Sequence, residues 1–230
     1  MERTSVLSNQ LSGHSRGKLK RQRAILDAAR DIMARSGDSG LTMLAVAHQA
    51  GVSPATPYNL FGSKQAILRA LYEEDLRDFY RLFDERASDK PLDRLFDLVD
   101  LTIVHWQRAP DYYKALLTVL HRNSCRDVGA AAWSRRQAYV GTLVADLAAS
   151  GGLGNEPPVE LLGTAMIRLF KAIGQEWIDG ELTFEGVRRE LGLSFAMILS
   201  GLVAEPYQPA LAELRRRYES AAAISGEAVV

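Results

Sequence analysis

The stretch from Leu41 to Lys64, LTMLAVAHQAGVSPATPYNLFGSK, constrains the fold more than any other part of the chain. Its spacing predicts a short helix over Thr42–Ala50. Thr42 supplies a hydroxyl that can cap the free amides of a first turn, and Val46, Ala47 and Ala50 fall on one face. Gly51 stands where a chain leaving a helix turns left-handed, a conformation that is free of strain without a Cβ. Val52 plugs the turn, and Ser53 is placed to cap a second helix, Pro54 to about Leu60, with Pro54 at its first helical position. Phe61 faces back toward the core before Gly62 and Ser63 break the chain. A helix, a Gly-containing turn and a second helix form the helix–turn–helix arrangement.

Helical periodicity continues along the rest of the sequence. A first helix is expected from Lys20 to Ser36, with Ile25, Ala28, Ala29, Ile32 and Met33 inward and Gly37 and Gly40 ending it. Ser63 is placed to cap a long helix from Lys64 to about Ala87, which bridges the small N-terminal unit to the remainder. Further helices are expected at about Leu92–Arg108, Asp111–His121, Val128–Ala149, Val159–Asp179 and Phe184–Val203, with a last one carrying Leu211, Leu214 and Tyr218. No run reads as a β-strand of any length, so the predicted class is all-α. The boundaries expected are a disordered basic arm over 1–18, a helix–turn–helix domain over 19–64 and a larger helical domain over 65–230.

The net charge of zero hides an asymmetry. Residues 1–64 hold nine of the 28 Lys and Arg against four of the 28 Asp and Glu, leaving 19 basic against 24 acidic residues in the remainder. A basic end on an acidic body suits a module that meets phosphate at one end only. Arg16, Lys18, Lys20, Arg21 and Arg23 cluster there, either as a solvated tail or as an arm reaching along DNA. The single cysteine, Cys125, excludes an internal disulfide framework and fits a reducing cytoplasm. No apolar run approaches a membrane span, and His14, His48, His105 and His121 show no ligand spacing with carboxylates, so neither a metal nor a membrane is expected. The run Gly151-Gly152-Leu153-Gly154 follows a helix rather than a strand and reads as a terminator, not a phosphate loop. No pattern for an enzyme or a bound cofactor stands out.

The sequence resembles the TetR family of bacterial transcriptional regulators over roughly residues 20 to 70. The likeness rests on Thr42, Ala47-x-x-Ala50-Gly51-Val52-Ser53, Thr56-x-Tyr58-x-x-Phe61 and Lys64 followed by Ala66 and Leu68, all in one register. It implies a double-stranded DNA operator as partner, contacted by Thr42, Ser53, Pro54, Ala55, Thr56, Tyr58, Asn59 and Lys64. Thr42, Thr56, Tyr58 and Lys64 match the family's backbone-contacting positions, at helix starts whose free amides favour phosphate oxygens. Ala55 and Asn59 are candidates for base readout, the first against a thymine methyl and the second against an adenine edge. One departure is Pro57, where a large apolar residue is more usual; its missing amide should give the second helix a strained or 3₁₀-like start.

The resemblance further implies a small-molecule effector, no other cofactor, and a homodimer formed through the helices at about 159–179 and 184–203. Trp106, Tyr113, Leu117, His121, Trp133, Met166, Phe170 and Trp177 concentrate large side chains where an effector pocket is expected. Aromatic residues at helical spacing are more often ordinary core, so the expectation is of a pocket among them. The function expected is a cytoplasmic, ligand-responsive, sequence-specific repressor acting on a pseudo-palindromic operator. Two rivals stay open, a sequence-independent architectural DNA binder and a helical interaction module.

Overall fold

A computed structural model describes residues 13–121, 126–154 and 159–225. Ten α-helices follow one another: α1 (Gly13–Gly40), α2 (Met43–Gln49), α3 (Ala55–Phe61), α4 (Lys64–Arg86), α5 (Pro91–Trp106), α6 (Pro110–His121), α7 (Arg126–Ala149), α8 (Val159–Asp179), α9 (Phe184–Ser200) and α10 (Gln208–Ser225). Among the described residues there is no β-strand, only an isolated bridge between Leu153 and Val203. The chain is all-α, as its periodicity requires.

The apolar stripes read from the sequence are the buried faces. Ile25, Ala29 and Met33 of α1, Leu68, Leu71 and Phe79 of α4, and Leu95, Val99 and Trp106 of α5 are all buried. Two boundaries differ from expectation. Helix α1 begins at Gly13 rather than Lys20, so Arg16 and Lys18 lie on a helix; the first twelve residues of the expected arm lie outside the described residues, as does Cys125. Helix α1 also runs to Gly40 across a break at Gly37, whose φ of 62° only glycine adopts without strain.

The starts of the short helices show how local chemistry sets them. The Thr42 hydroxyl accepts from the Ala45 amide at 3.1 Å, and the Ser63 hydroxyl accepts from the Ala66 amide at 3.2 Å, both as expected. Gly51 takes the left-handed turn with φ 64°. Ser53 does not cap α3 with its side chain, and Pro54 precedes the helix instead of opening it. The cause is Pro57. An α-helical bond to the Ser53 carbonyl would come from residue 57, which has no N–H, so the Thr56 amide takes that carbonyl at 2.9 Å in a 3₁₀-type closure. The Ser53 hydroxyl pairs instead with the Thr56 hydroxyl at 2.8 Å.

The larger domain closes over two contacts. Helix α6 lies along α1, so the N-terminal unit rests on both α4 and α6. At the far end α10 packs on α9, where Tyr218 presses into a notch at Gly192. A Cβ there would stand 2.3 Å from the ring of Tyr218. Gly192→Ala should therefore destabilise the protein by about 1–3 kcal/mol in denaturant unfolding. Gly201→Ala, which faces open space, should stay within about 0.5 kcal/mol of the parent.

Candidate nucleic-acid interface and interior cavity

Helix α3 has one inward side and one outward side. Pro57 is buried, and Thr56, Leu60 and Phe61 are half-buried, with Leu60 and Phe61 packed against the core. Ser53, Pro54, Ala55, Tyr58 and Asn59 are exposed, with 57% of the large Tyr58 surface open. Holding a phenol outward costs apolar burial, so the exposed Tyr58 favours a contact role over packing. Thr42 is exposed at the start of α2; its oxygen is used by the Ala45 amide and its hydrogen remains to donate.

Lys64 is placed differently from the other candidates. Its ammonium lies 2.7 Å from both the carbonyl oxygen and Oδ1 of Asp38 and is only partly exposed. It ties the start of α4 to the end of α1, and part of its charge is answered within the protein. Around it, Gln49 of α2 links Arg35 and Asp31 of α1, so the reading unit is braced from behind by polar contacts.

The larger domain holds a cavity among α4, α5, α6, α7 and α8, with about 40 Å³ open to the centre of a water-sized sphere. That holds a few waters in a polar setting, so a larger guest must push its walls apart. Of the residues expected around an effector pocket, Trp106, Tyr113, Leu117 and Phe170 line this cavity. His121 and Trp133 line a separate, more open cleft of about 400 Å³ between α6, α7 and α8. Met166 is fully buried core, and Trp177 stacks on Trp106 with ring centres 5.0 Å apart, so neither is among the cavity's lining residues.

Sequence reasoning missed Asp75 and His105, the polar groups at the cavity's heart. The usable signal was a carboxylate on the apolar face of α4, between Leu71, Tyr72, Leu76 and Phe79. Asp75 accepts the hydrogen bond of the buried Tyr112 hydroxyl. Arg30 of α1 bonds Glu74 at 3.2 Å, stands 3.9 Å from Asp75 and lies 5.6 Å from the centre of the Tyr112 ring. One cluster thus joins α1, α4 and α6 beside the cavity. Burial pushes the Asp75 carboxyl up to about 6 against the opposing pull of Tyr112 and Arg30. Burial also holds the His105 imidazole down to about 4, helped by Arg108 and Arg136.

These two shifts oppose each other in stability. Asp75 binds its proton more tightly in the folded chain, so its contribution falls as pH rises through about 6. His105 binds its proton less tightly when folded, so its contribution is lost as pH falls from about 6.5 toward 4. Asp75→Asn, which keeps an acceptor for Tyr112, should therefore become progressively less stable than the parent as pH drops from 7 to 5. His105→Gln should move the opposite way. Thermal unfolding across that range measures both.

Among the described residues no group of His, Cys, Asp and Glu could hold a metal ion, and no helix is long and apolar enough to cross a membrane. Residues 25–71 match the family described as bacterial regulatory proteins, tetR family. The chain is 28% identical over 111 residues to the HTH-type transcriptional regulator BetI of Brucella melitensis, covering 47% of this chain and 56% of that one. It is 32% identical over 102 residues to BetI of Rhizobium meliloti, covering 42% and 49%. It therefore spans about half the length of the curated relatives it matches. The fold superposes on SmeT, the repressor of a Stenotrophomonas maltophilia multidrug efflux pump, with a TM-score of 0.66 at 16% identity, covering 80% and 91% of the two chains. It superposes on a gamma-butyrolactone receptor with a TM-score of 0.62 at 17% identity, covering 89% and 98%. The matched N-terminal unit, the register of its motif and the all-α architecture behind it agree: residues 25–71 carry the signature of the tetR family of bacterial regulatory proteins, and the chain shares the fold of that family's solved structures.

Proposed function

We propose that this chain is a ligand-responsive, sequence-specific transcriptional regulator, working in the cytoplasm as a homodimeric repressor on a pseudo-palindromic operator and catalysing no reaction. The observation that carries the reading is the exposed side of α3, where Ala55, Tyr58 and Asn59 stand outward on a helix whose other side is packed. Tyr58, Thr42 and Thr56 meet phosphates, while Ala55 and Asn59 meet base edges in the major groove. Ser53 and Pro54 shape the approach of the helix. Lys64 acts chiefly as the brace to Asp38 and adds a phosphate contact when DNA competes for it.

Dimerisation uses the outer sides of α8 and α9. Their inner stripes, including Leu162, Phe170, Leu191 and Phe195, are consumed by the core. Leu161 and Met197 remain 60% and 70% exposed, with Leu169 and Leu193 half-buried on the same helices. Two-fold symmetry then sets two copies of α3 about 34–36 Å apart, or a multiple, over two half-sites. A guest in the small cavity displaces α4 and α6, the helices on which α1 rests. The half-site spacing is lost, and operator affinity falls by a shift of population.

Selection of bound duplexes from a random pool tests the reading. A pseudo-palindrome should be enriched and held well above a scrambled duplex in a salt series; binding without enrichment would favour the architectural rival instead. On the selected duplex, Tyr58→Ala should weaken binding to every sequence alike. Asn59→Ala should cost about 1–3 kcal/mol and relax preference at one base pair. The double variant Leu161→Glu, Met197→Glu should sediment as a monomer and lose most operator affinity.

A further inference from the structure

We propose that the effector is an uncharged, planar aromatic or conjugated molecule whose oxygen acceptor, such as a ketone or lactone carbonyl, receives a hydrogen bond from His105 Nδ1. This rests on the ligand-responsive reading above and names the chemistry that fills its cavity.

Two buried side-chain groups of the cavity wall have nothing to bond, His105 Nδ1 and the Tyr139 hydroxyl. His105 is buried and lines the cavity, and its Nδ1 has no hydrogen-bond partner. Its Nε2 lies 2.9 Å from the Tyr113 hydroxyl. That hydroxyl has no other hydrogen-bond partner among the described residues, so the pair is satisfied when the phenol donates to Nε2. The imidazole then carries its hydrogen on Nδ1 as a buried donor. A buried donor left unpaired is costly, and a guest acceptor removes that cost. The ring is kept neutral by burial and by the nearby Arg108 and Arg136, so the donor is an uncharged N–H at all physiological pH values.

Two other polar groups of the wall are already engaged. The Thr102 hydroxyl donates to the Leu98 carbonyl at 2.6 Å. Asp75 is engaged by Tyr112 and faced by Arg30, so its charge is already answered within the protein. Arg136, whose guanidinium sits 5.7 Å from the Tyr72 ring, adds a positive field at the wall. A cationic guest would meet that field with no free carboxylate. The other walls are largely apolar and aromatic, with Phe79 edge-on to His105 at 5.5 Å and Tyr113 tilted against it at 5.0 Å. Flat rings fit such walls, and an acceptor on the guest meets the unpaired His105 donor.

The test compares three rigid probes of one shape on the full chain: 1-indanone, indane and protonated 1-aminoindane. Each is titrated by NMR against the indole N–H signals, of which Trp106 reports the cavity. The ketone should bind about tenfold more tightly than indane, with the ammonium weakest. In the double variant His105→Phe, Tyr113→Phe, which also removes the hydroxyl that loss of the imidazole would free, the ketone should lose its advantage over the hydrocarbon. The proposal is overturned if 1-indanone fails to bind, if indane matches it in the parent chain, if the ammonium binds best, or if the preference survives undiminished in the double variant. Should that variant misfold, the ranking on the parent chain decides alone. A ketone that binds with the expected preference yet leaves operator affinity unchanged would refute the ligand-responsive reading and leave the ligand class standing.

Discussion

The packing of α1 across α4 and α6 is the constraint on which the rest depends. The reading unit is too small to bury a sizeable core alone, and its inward residues share one hydrophobic cluster with those of α4 and α6. Into this apolar seam the chain places Arg30, Glu74, Asp75 and Tyr112. A half-buried arginine facing two carboxylates satisfies groups that would otherwise be stranded, and it fixes the register of three helices at once. Asp75 also lines the cavity, so the seam that holds the N-terminal unit and the wall that would meet a guest share that residue.

That arrangement explains why a cavity this small can matter. With about 40 Å³ free, a flat molecule enters only by moving aromatic walls carried on α4, α5 and α6. Closely packed helices respond by shifting between discrete arrangements rather than by deforming smoothly. Helix α4 leads directly from Ser63, and α6 presses on α1, which is the route by which the proposed mechanism carries movement of either to α3. The brace of Lys64 to Asp38 ties the start of α4 to the end of α1.

The parts of the structure legible in the sequence were those written in local chemistry. Thr42, Gly51 and Ser63 each act on residues three or four places away, so their roles follow from spacing, and the apolar stripes of α4 to α9 follow from periodicity. Pro57 showed both the reach and the limit of such reasoning. Its missing amide predicted a 3₁₀-like start for α3, but the same absence redirected Ser53 away from capping. The cavity was half legible. Trp106, Tyr113, Leu117 and Phe170 are large and inward, yet nothing local separates them from Met166 and Trp177, which are core. The Arg30–Asp75–Tyr112 cluster joins residues 45 and 37 positions apart, and only the packing of helices brings them together.

On the proposed mechanism, filling the cavity moves the two N-terminal units of a dimer relative to each other. Electron spin–spin distances between labels at Ser39→Cys, an exposed site at the end of α1, measure this directly in a Cys125→Ser background. The comparison is between the parent cavity and one filled from within by Val140→Phe, at a wall residue. A narrow distance is expected on operator DNA, and in Val140→Phe a shifted distance accompanied by weakened operator binding. Operator binding lost while the distance stays the same, or a shifted distance with operator binding intact, would contradict it.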